Sequence, residues 1–303
     1  MSNSVGDIAP APAPFVPEYP FANAPAADAI LRSADGADFY IHRAILSLVS
    51  PVFETMFQLP QPDDAPAVPV IDVQEVSAVL DRALRFFYPG AAASVPTLEE
   101  LQDIMEVLVA KYDVQFIVPA VKQHLQRLKI SKPLAVYAVG VQYGWRDVAS
   151  SAAKQSLKIP LRALGNDPPP ELGAITAIAY HNLLQYHYLC GTAARRTADT
   201  LEWLSAPNAI RTCNYCDNSD HKYTFMDVTG LTVPRWFNAY LTTMSGVLET
   251  TPGVILHENS NFHVALGQSR CNRCKIFNDF MDFVFSQWPA KLRQELDKIE
   301  LKF

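Results

Sequence analysis

The sequence predicts an α+β fold, with a small sheet flanked by helical hairpins in the first part of the chain and a mostly α-helical C-terminal region. Two runs of alternating apolar residues, 29–33 and 38–42, predict neighbouring strands, because the Asp-Gly pair between them is typical of a hairpin turn. After residue 42 the apolar residues recur every three or four positions, which predicts helices. The same spacing dominates the chain beyond residue 130.

Composition limits the classes of protein to which the chain can belong. It has 303 residues, of which 49% are hydrophobic and 18% are charged, and its formal net charge is -6. A chain of this size can bury one large core or a few smaller ones. The acidic balance provides no basic stripe that could neutralise a phosphate backbone, so the sequence disfavours nucleic acid as a partner.

No segment has the features of a membrane anchor or a secretory signal. The most apolar run, residues 133–141, is too short to cross a bilayer. The beginning of the sequence lacks a cationic region followed by an apolar core. We therefore expect a cytoplasmic or nuclear protein, or both, whose cysteines experience reducing conditions.

Changes in composition divide the chain into four predicted parts. Residues 1–20 are a leader rich in Pro and Ala, which we expect to be disordered because proline removes amide donors and fixes φ. Residues 21–130 are the first folded domain. Residues 131–204 are predicted to form a helical extension, with a helix end near Gly144, and residues 205–303 a helical lobe with two Cys-x-x-Cys pairs.

The first folded domain is predicted to contain two strands, two helices, one strand and three helices. Ser50 and Pro51 are suited to cap and start the second helix. Thr97 with Glu100 forms a capping box that predicts the start of a later helix.

Residues 28–57 carry a specific set of motifs. An Asp opens the hairpin, a Phe-x-x-His-(Lys/Arg)-x-x-Leu run leads into the first helix, and a Ser-x-x-Phe-x-x-Met-Phe run ends the second. This set resembles the BTB/POZ domain, and the later LRFFYPG run resembles a helix end seen especially in fungal members. The matching residues are Asp28, Phe39, His42, Arg43, Leu46, Ser50, Phe53, Met56 and Phe57.

The resemblance implies a non-enzymatic protein–protein interaction module. BTB domains commonly self-associate through their first helices, which implies a homodimer face near Ile45, Leu48 and Val49. The proline-rich segment before the domain departs from members whose dimers exchange an extra N-terminal strand, so a weaker dimer or a monomer stays open. The resemblance also implies that His42 has a structural role, fixing the strand-to-helix corner through its ring nitrogens.

Cullin-3 is the partner that the resemblance suggests, since many BTB proteins are substrate adaptors of cullin-3 ubiquitin ligases. The C-terminal lobe would then select the substrate. Adaptors often carry a hydrophobic-x-Glu element after the second helix, whereas residues 58–68 contain prolines and two Asp residues. One alternative is a transcription-linked scaffold that recruits co-regulators, and another is a thiol oxidoreductase that uses the Cys-x-x-Cys pairs.

The two Cys-x-x-Cys pairs are the one candidate site for chemistry. Each turn can place two thiolates on one side of a tetrahedron, so two turns complete the ligand shell of a structural zinc ion. The candidate ligands are Cys213, Cys216, Cys271 and Cys274, with Cys190 and His221 in reserve. Unliganded cysteines and a redox dithiol stay open as alternatives.

The sequence predicts no enzyme activity. A zinc-protease helix, a nucleophile elbow, a phosphate loop and a dinucleotide fingerprint are each missing an essential residue. Two aromatic-rich helices in the C-terminal lobe are interpreted as core rather than as a cofactor pocket. The apolar face of the second helix contains Phe277, Phe280, Met281, Val284, Phe285 and Trp288.

Overall fold

The structure is a computed structural model that describes residues 27–59, 68–88, 97–160, 168–204, 223–226, 231–268 and 276–303. The chain divides into two compact units, Met1–Arg127 and Leu128–Phe303. The first combines a small mixed sheet with helices and the second is mostly helical, so the predicted α+β class is confirmed. Within the described ranges, no helix combines the length and apolar composition that crossing a membrane requires.

Among its described residues, the first unit has a sheet of three short strands, β1 (Ala29–Arg32), β2 (Asp38–Ile41) and β3 (Val70–Asp72), in the order β2-β1-β3. β2 pairs antiparallel with β1, and β3 pairs parallel with it on the other side. Leu31 is fully buried at the centre, opposite Phe39 on β2 and Ile71 on β3. The predicted hairpin is therefore one half of a mixed sheet.

In the described part of the first unit, five α-helices and the three strands follow one another in the order that the sequence predicts. The helices are α1 (Arg43–Val49), α2 (Pro51–Gln58), α3 (Ser77–Leu84), α4 (Leu98–Met105) and α5 (Val118–Leu128). The capping box of Thr97 and Glu100 starts α4, as expected. α4 continues into a π-helical turn over Glu106–Lys111.

A side chain of the hairpin turn is hydrogen-bonded to the start of α3. Gly36 takes a φ of 84°, a left-handed conformation that costs glycine little. Its neighbour Asp35 accepts hydrogen bonds from the hydroxyl of Ser33 (2.6 Å) and from the backbone N–H (2.8 Å) and hydroxyl (2.6 Å) of Ser77. Bonds from the two hydroxyls lower the pKa of Asp35 to about 2. The carboxylate thus ties the turn to the first residue of α3.

The second unit contains seven α-helices and one antiparallel pair of short strands within the described residues. The elements are α6 (Pro133–Gln142), α7 (Arg146–Ser156), α8 (Ala177–Asp199), β4 (Tyr223–Met226), β5 (Leu231–Pro234), α9 (Arg235–Thr250), α10 (Ser260–Gln268), α11 (Ile276–Asp282) and α12 (Trp288–Leu296). α6 and α7 form a helical hairpin whose turn contains Gly144 at a φ of 69°. This is the helix end predicted near that glycine.

Small residues bring two helix pairs into close contact. A Cβ on Gly140 of α6 would lie 2.7 Å from the backbone nitrogen of Ala149 on α7. A Cβ on Gly191 of α8 would lie 2.2 Å from the carbonyl oxygen of Glu249 on α9. Since real side chains do not approach so closely, both helix crossings require glycine at these positions.

Among the described side chains, most aromatic residues that the sequence assigns to a core are buried, but Phe285 differs from the prediction. The indole N–H of Trp288 donates to the hydroxyl of Thr197 (2.8 Å), and the ring lies 5.1 Å from that of Phe283. Between α11 and α12 the chain forms a π-helical turn, Phe283–Gln287. The turn buries Phe283 and Val284 but leaves 49% of Phe285 exposed.

Candidate interaction surface

The corner between β2 and α1 is fixed by side chains from distant parts of the first unit. The backbone N–H of Arg43 donates to Oδ1 of Asp28 (2.7 Å), and that of His42 donates to the hydroxyl of Tyr88 (2.8 Å). The rings of His42 and Tyr88 are 6.0 Å apart. These bonds satisfy two donors that the start of a helix otherwise leaves without an intrahelical partner. The role expected of the His42 ring nitrogens stays a prediction.

Arg43 also closes the pair of helices. Its guanidinium donates to the carbonyl oxygen of Phe57 at the far end of α2 and lies 5.2 Å from the centre of the Phe57 ring. A cation over an aromatic face adds about 0.5–1 kcal/mol at such a partly exposed site. The first residue of α1 is therefore attached to the last turn of α2.

Ser50 is the joint between the two helices. Its hydroxyl oxygen accepts a hydrogen bond from the backbone N–H of Phe53 (3.1 Å) and so caps α2. The same hydroxyl donates to the carbonyl oxygen of Tyr112 (2.6 Å), and the rings of Phe53 and Tyr112 stack 4.4 Å apart. The joint is thus anchored to the segment after α4.

Tyr112 connects this joint to a buried carboxylate. The Tyr112 hydroxyl donates to Oε2 of Glu75 (3.0 Å). The other carboxylate oxygen of Glu75 forms an ion pair with Lys111. Only 6% of the Glu75 side chain is exposed, so the lysine provides the counter-charge that burial requires. Burial first, and then the Glu75 charge, raise the pKa of Tyr112 far above its usual range.

The α1–α2 pair exposes several apolar side chains. Leu48 is 87% exposed, and Ile45 and Val49 beside it are half-buried. Farther along, Val52 and Leu59 are exposed as well. We call these five residues the α1–α2 surface. The BTB signature residues Phe39, Leu46, Phe53 and Phe57 instead face the core.

A serine and a histidine of the second unit form a hydrogen bond that could suggest a catalytic dyad. The hydroxyl of Ser156 lies 2.7 Å from Nε2 of His187. Ser156 has no exposed surface, however, and its hydroxyl also donates to the carbonyl oxygen of Ala153 (2.7 Å). Burial lowers the pKa of His187 to about 4. A substrate could not reach this hydroxyl, so the pair has a structural role.

The predicted zinc ligands Cys213, Cys216, Cys271 and Cys274 lie outside the described residues, as does His221. The reserve ligand Cys190 is buried on α8. Its burial raises the pKa of the thiol to about 11, which disfavours the thiolate that binds a metal. Among the described residues, no group of three or more His, Cys, Asp or Glu side chains is arranged to hold a metal ion.

Comparison with known families agrees with the geometry of the first unit. The model of the BTB/POZ domain family matches residues 20–129, which is about a third of the chain. Residues 20–129 are a BTB/POZ domain. BTB domains mediate protein–protein interactions and oligomerisation. No curated protein matches the chain. The α1–α2 surface thus belongs to a domain whose general role is association.

Sequence reasoning did not identify three residues that position the α1–α2 pair: Tyr88, Tyr112 and Glu75. Each acts across more than thirty positions of the chain, so no local motif connects it to its partner. One available signal was a polar aromatic residue directly after an apolar helical run. Tyr88 lies in the LRFFYPG run, directly before Pro89, and Tyr112 lies near the end of the predicted helix that begins after Thr97.

Proposed function

We propose that the protein is a non-enzymatic interaction protein whose BTB domain self-associates through the α1–α2 surface while the helical unit recruits a partner. The observation that carries the first part is the 87% exposure of Leu48 on an otherwise well-anchored pair of helices. Ile45, Leu48 and Val49 share one face of α1, and an exposed apolar face on a rigid support is typical of an association site. In a symmetric pair the same patch serves both copies, so one surface is sufficient.

A charge placed at Leu48 tests this association. Leu48→Asp puts a carboxylate at the centre of the α1–α2 surface, where a second copy would have to desolvate it. We expect the full-length variant to sediment as a monomer at concentrations at which the parent chain is dimeric. Because Leu48 is exposed, the free energy of unfolding changes by no more than about 0.5 kcal/mol.

The matched control is Val264→Asp, which places the same charge at an exposed apolar position of α10. We expect this variant to sediment as the parent chain does. Equal association of the Leu48→Asp variant and the parent chain would exclude the α1–α2 surface as the contact between copies.

A finer proposal is that the BTB domain binds cullin-3 and that the protein is a substrate adaptor of a ubiquitin ligase. Membership of the BTB family supports it, but residues 58–68 have no hydrophobic-x-Glu element. Biolayer interferometry of the full chain against the purified N-terminal domain of cullin-3 tests it directly. Saturable binding at micromolar concentrations supports the adaptor role, and no binding at tens of micromolar contradicts it.

We also propose that Cys213, Cys216, Cys271 and Cys274 hold one structural zinc ion. The support is the spacing of the two pairs in the sequence. Metal analysis of reduced protein never exposed to chelator is expected to find one zinc per chain, and Cys213→Ser with Cys271→Ser removes it. Well under half an equivalent in the parent chain would contradict this proposal.

A further inference from the structure

The second unit contains a groove with an apolar floor. It has a volume of about 390 Å³ and is formed by the end of α7, Tyr186 of α8, the segment after α9, the π-helical turn Phe283–Gln287 and α12. Leu157, Leu256 and Leu292 lie on the floor and are almost fully buried. This volume lies within the range of about 300–1,000 Å³ that is typical of ligand sites.

Two contacts shape the lining of the groove. The backbone N–H of Gly253 donates to the carbonyl oxygen of Leu157 (3.0 Å). A Cβ at position 253 would approach atoms of Leu157 to about 3 Å. The segment after α9 is therefore held tightly against the end of α7. Phe285, which also lines the groove, is half-exposed and stacks on His257 with ring centres 4.6 Å apart. An aromatic wall of this kind can bind an apolar side chain.

The charge around the groove is opposite to that of the whole chain. Lys154, Lys158 and Arg293 line it, against one acidic residue, Asp297, although the formal net charge of the chain is -6. Asp297 forms an ion pair with Lys154 (2.8 Å). The bond to Lys154 and, more weakly, the charge of Arg293 lower the pKa of the Asp297 carboxyl group. Among the described residues, Lys158 has no ion-pair partner. The groove therefore has an excess of positive charge.

We infer that this groove binds a short acidic segment of a partner protein through an apolar anchor residue with carboxylates on either side of it. The apolar floor and Phe285 contact the apolar anchor residue, and the cations at the end of α7 and on α12 pair with the carboxylates. The cations lie on two separate parts of the lining, at the end of α7 and on α12. A segment with several carboxylates therefore matches them better than a ligand with a single acid group. The inference rests on the proposed partner recruitment by the helical unit, and not on association through the α1–α2 surface.

Selection from a library of random short peptides displayed on phage, with the immobilised full-length protein as target, tests this inference. We expect the enriched peptides to share at least one large apolar residue flanked by Asp or Glu. The enriched sequence is then synthesised with a fluorescent label, and its binding is measured by anisotropy at increasing salt concentration. Binding is expected to weaken as salt screens the carboxylates.

Three variants assign the binding to the groove. Lys158→Glu combined with Arg293→Glu is expected to weaken binding of the selected peptide by about tenfold or more. Phe285→Ala is expected to weaken its binding independently of charge. Arg235→Glu, at the opposite end of α9 from the groove segment, is the charge-matched control and is expected to leave binding unchanged. Since these side chains are exposed, each variant is expected to retain the circular dichroism spectrum of the parent chain.

The inference is overturned by peptides that lack acidic residues, by no enrichment, or by equal binding to the double variant and the parent chain. Stronger competition by a long-chain fatty acid than by any peptide would assign the groove to small amphiphiles and also overturn it. Its failure is distinguishable from failure of the proposed association, because the sedimentation of the Leu48→Asp variant depends on the BTB domain.

Discussion

At the residue scale, the fold depends on a few polar side chains that each satisfy more than one group. Ser50 caps α2 and donates to the carbonyl oxygen of Tyr112, while Asp35 accepts from both Ser33 and Ser77. A short polar side chain can replace several missing backbone partners where elements meet. Substitution at such a position therefore removes several interactions at once.

Ser50→Ala tests this dual role. The substitution removes the cap of α2 and a buried hydrogen bond, so we expect the free energy of unfolding to fall by about 2 kcal/mol. Urea unfolding of the full chain measures the change. Thr55→Ala is the control, because the hydroxyl of this exposed residue bonds only within α2, to the carbonyl oxygen of Pro51. Equal losses in the two variants would contradict the role of Ser50 as a joint.

His187 makes stability depend on pH. Its folded-state pKa of about 4 lies below its usual value of 6.5, so the unfolded chain binds a proton more readily between these values. The stabilisation is fully present above pH 6.5 and is lost as the pH falls toward 4. The loss amounts to about 3 kcal/mol.

Urea unfolding at several pH values compares the parent chain with His187→Gln. We expect the variant to lack this part of the decline, while His181→Gln, at an exposed position on the same helix, retains it. Parallel stability curves for the His187→Gln variant and the parent chain would show that the buried imidazole does not titrate as described.

At the element scale, the local signals of the BTB domain can be predicted from the sequence. The hairpin contains an Asp-Gly turn, α2 begins after the cap residue Ser50, and both α1 and α2 have a regular apolar spacing. The contacts that hold them in place cannot be predicted in this way, because Tyr88 and Tyr112 reach their partners across long stretches of chain. The π-helical turn after α11 is also invisible to periodicity, since one extra residue in a turn shifts every later side chain.

The α8–α9 crossing provides a test with opposite signs. Gly191→Ala places a methyl group against the carbonyl oxygen of Glu249, so we expect a loss of about 1–3 kcal/mol in the free energy of unfolding. Gly246→Ala on α9 meets no atom within 4 Å and is expected to gain up to about 1 kcal/mol from helix propensity. Thermal unfolding distinguishes the two, and stabilisation by Gly191→Ala would contradict the close approach of the helices.

At the scale of the whole molecule, the two units have surfaces of different chemistry. The α1–α2 surface of the BTB domain is apolar, which suits contact with an identical copy. The groove of the second unit combines an apolar floor with cations, which suits a segment of opposite charge. Composition alone gives the acidic balance of the chain but not this local excess of positive charge, because the groove residues come from five separate parts of the chain.

The central claim is that the BTB domain makes the protein self-associate. Sedimentation velocity of the full-length parent chain over a range of concentrations tests it most directly. We predict a monomer–dimer equilibrium, with the dimer dominant at tens of micromolar and lost in the Leu48→Asp variant. A parent chain that remains monomeric at tens of micromolar would contradict the claim.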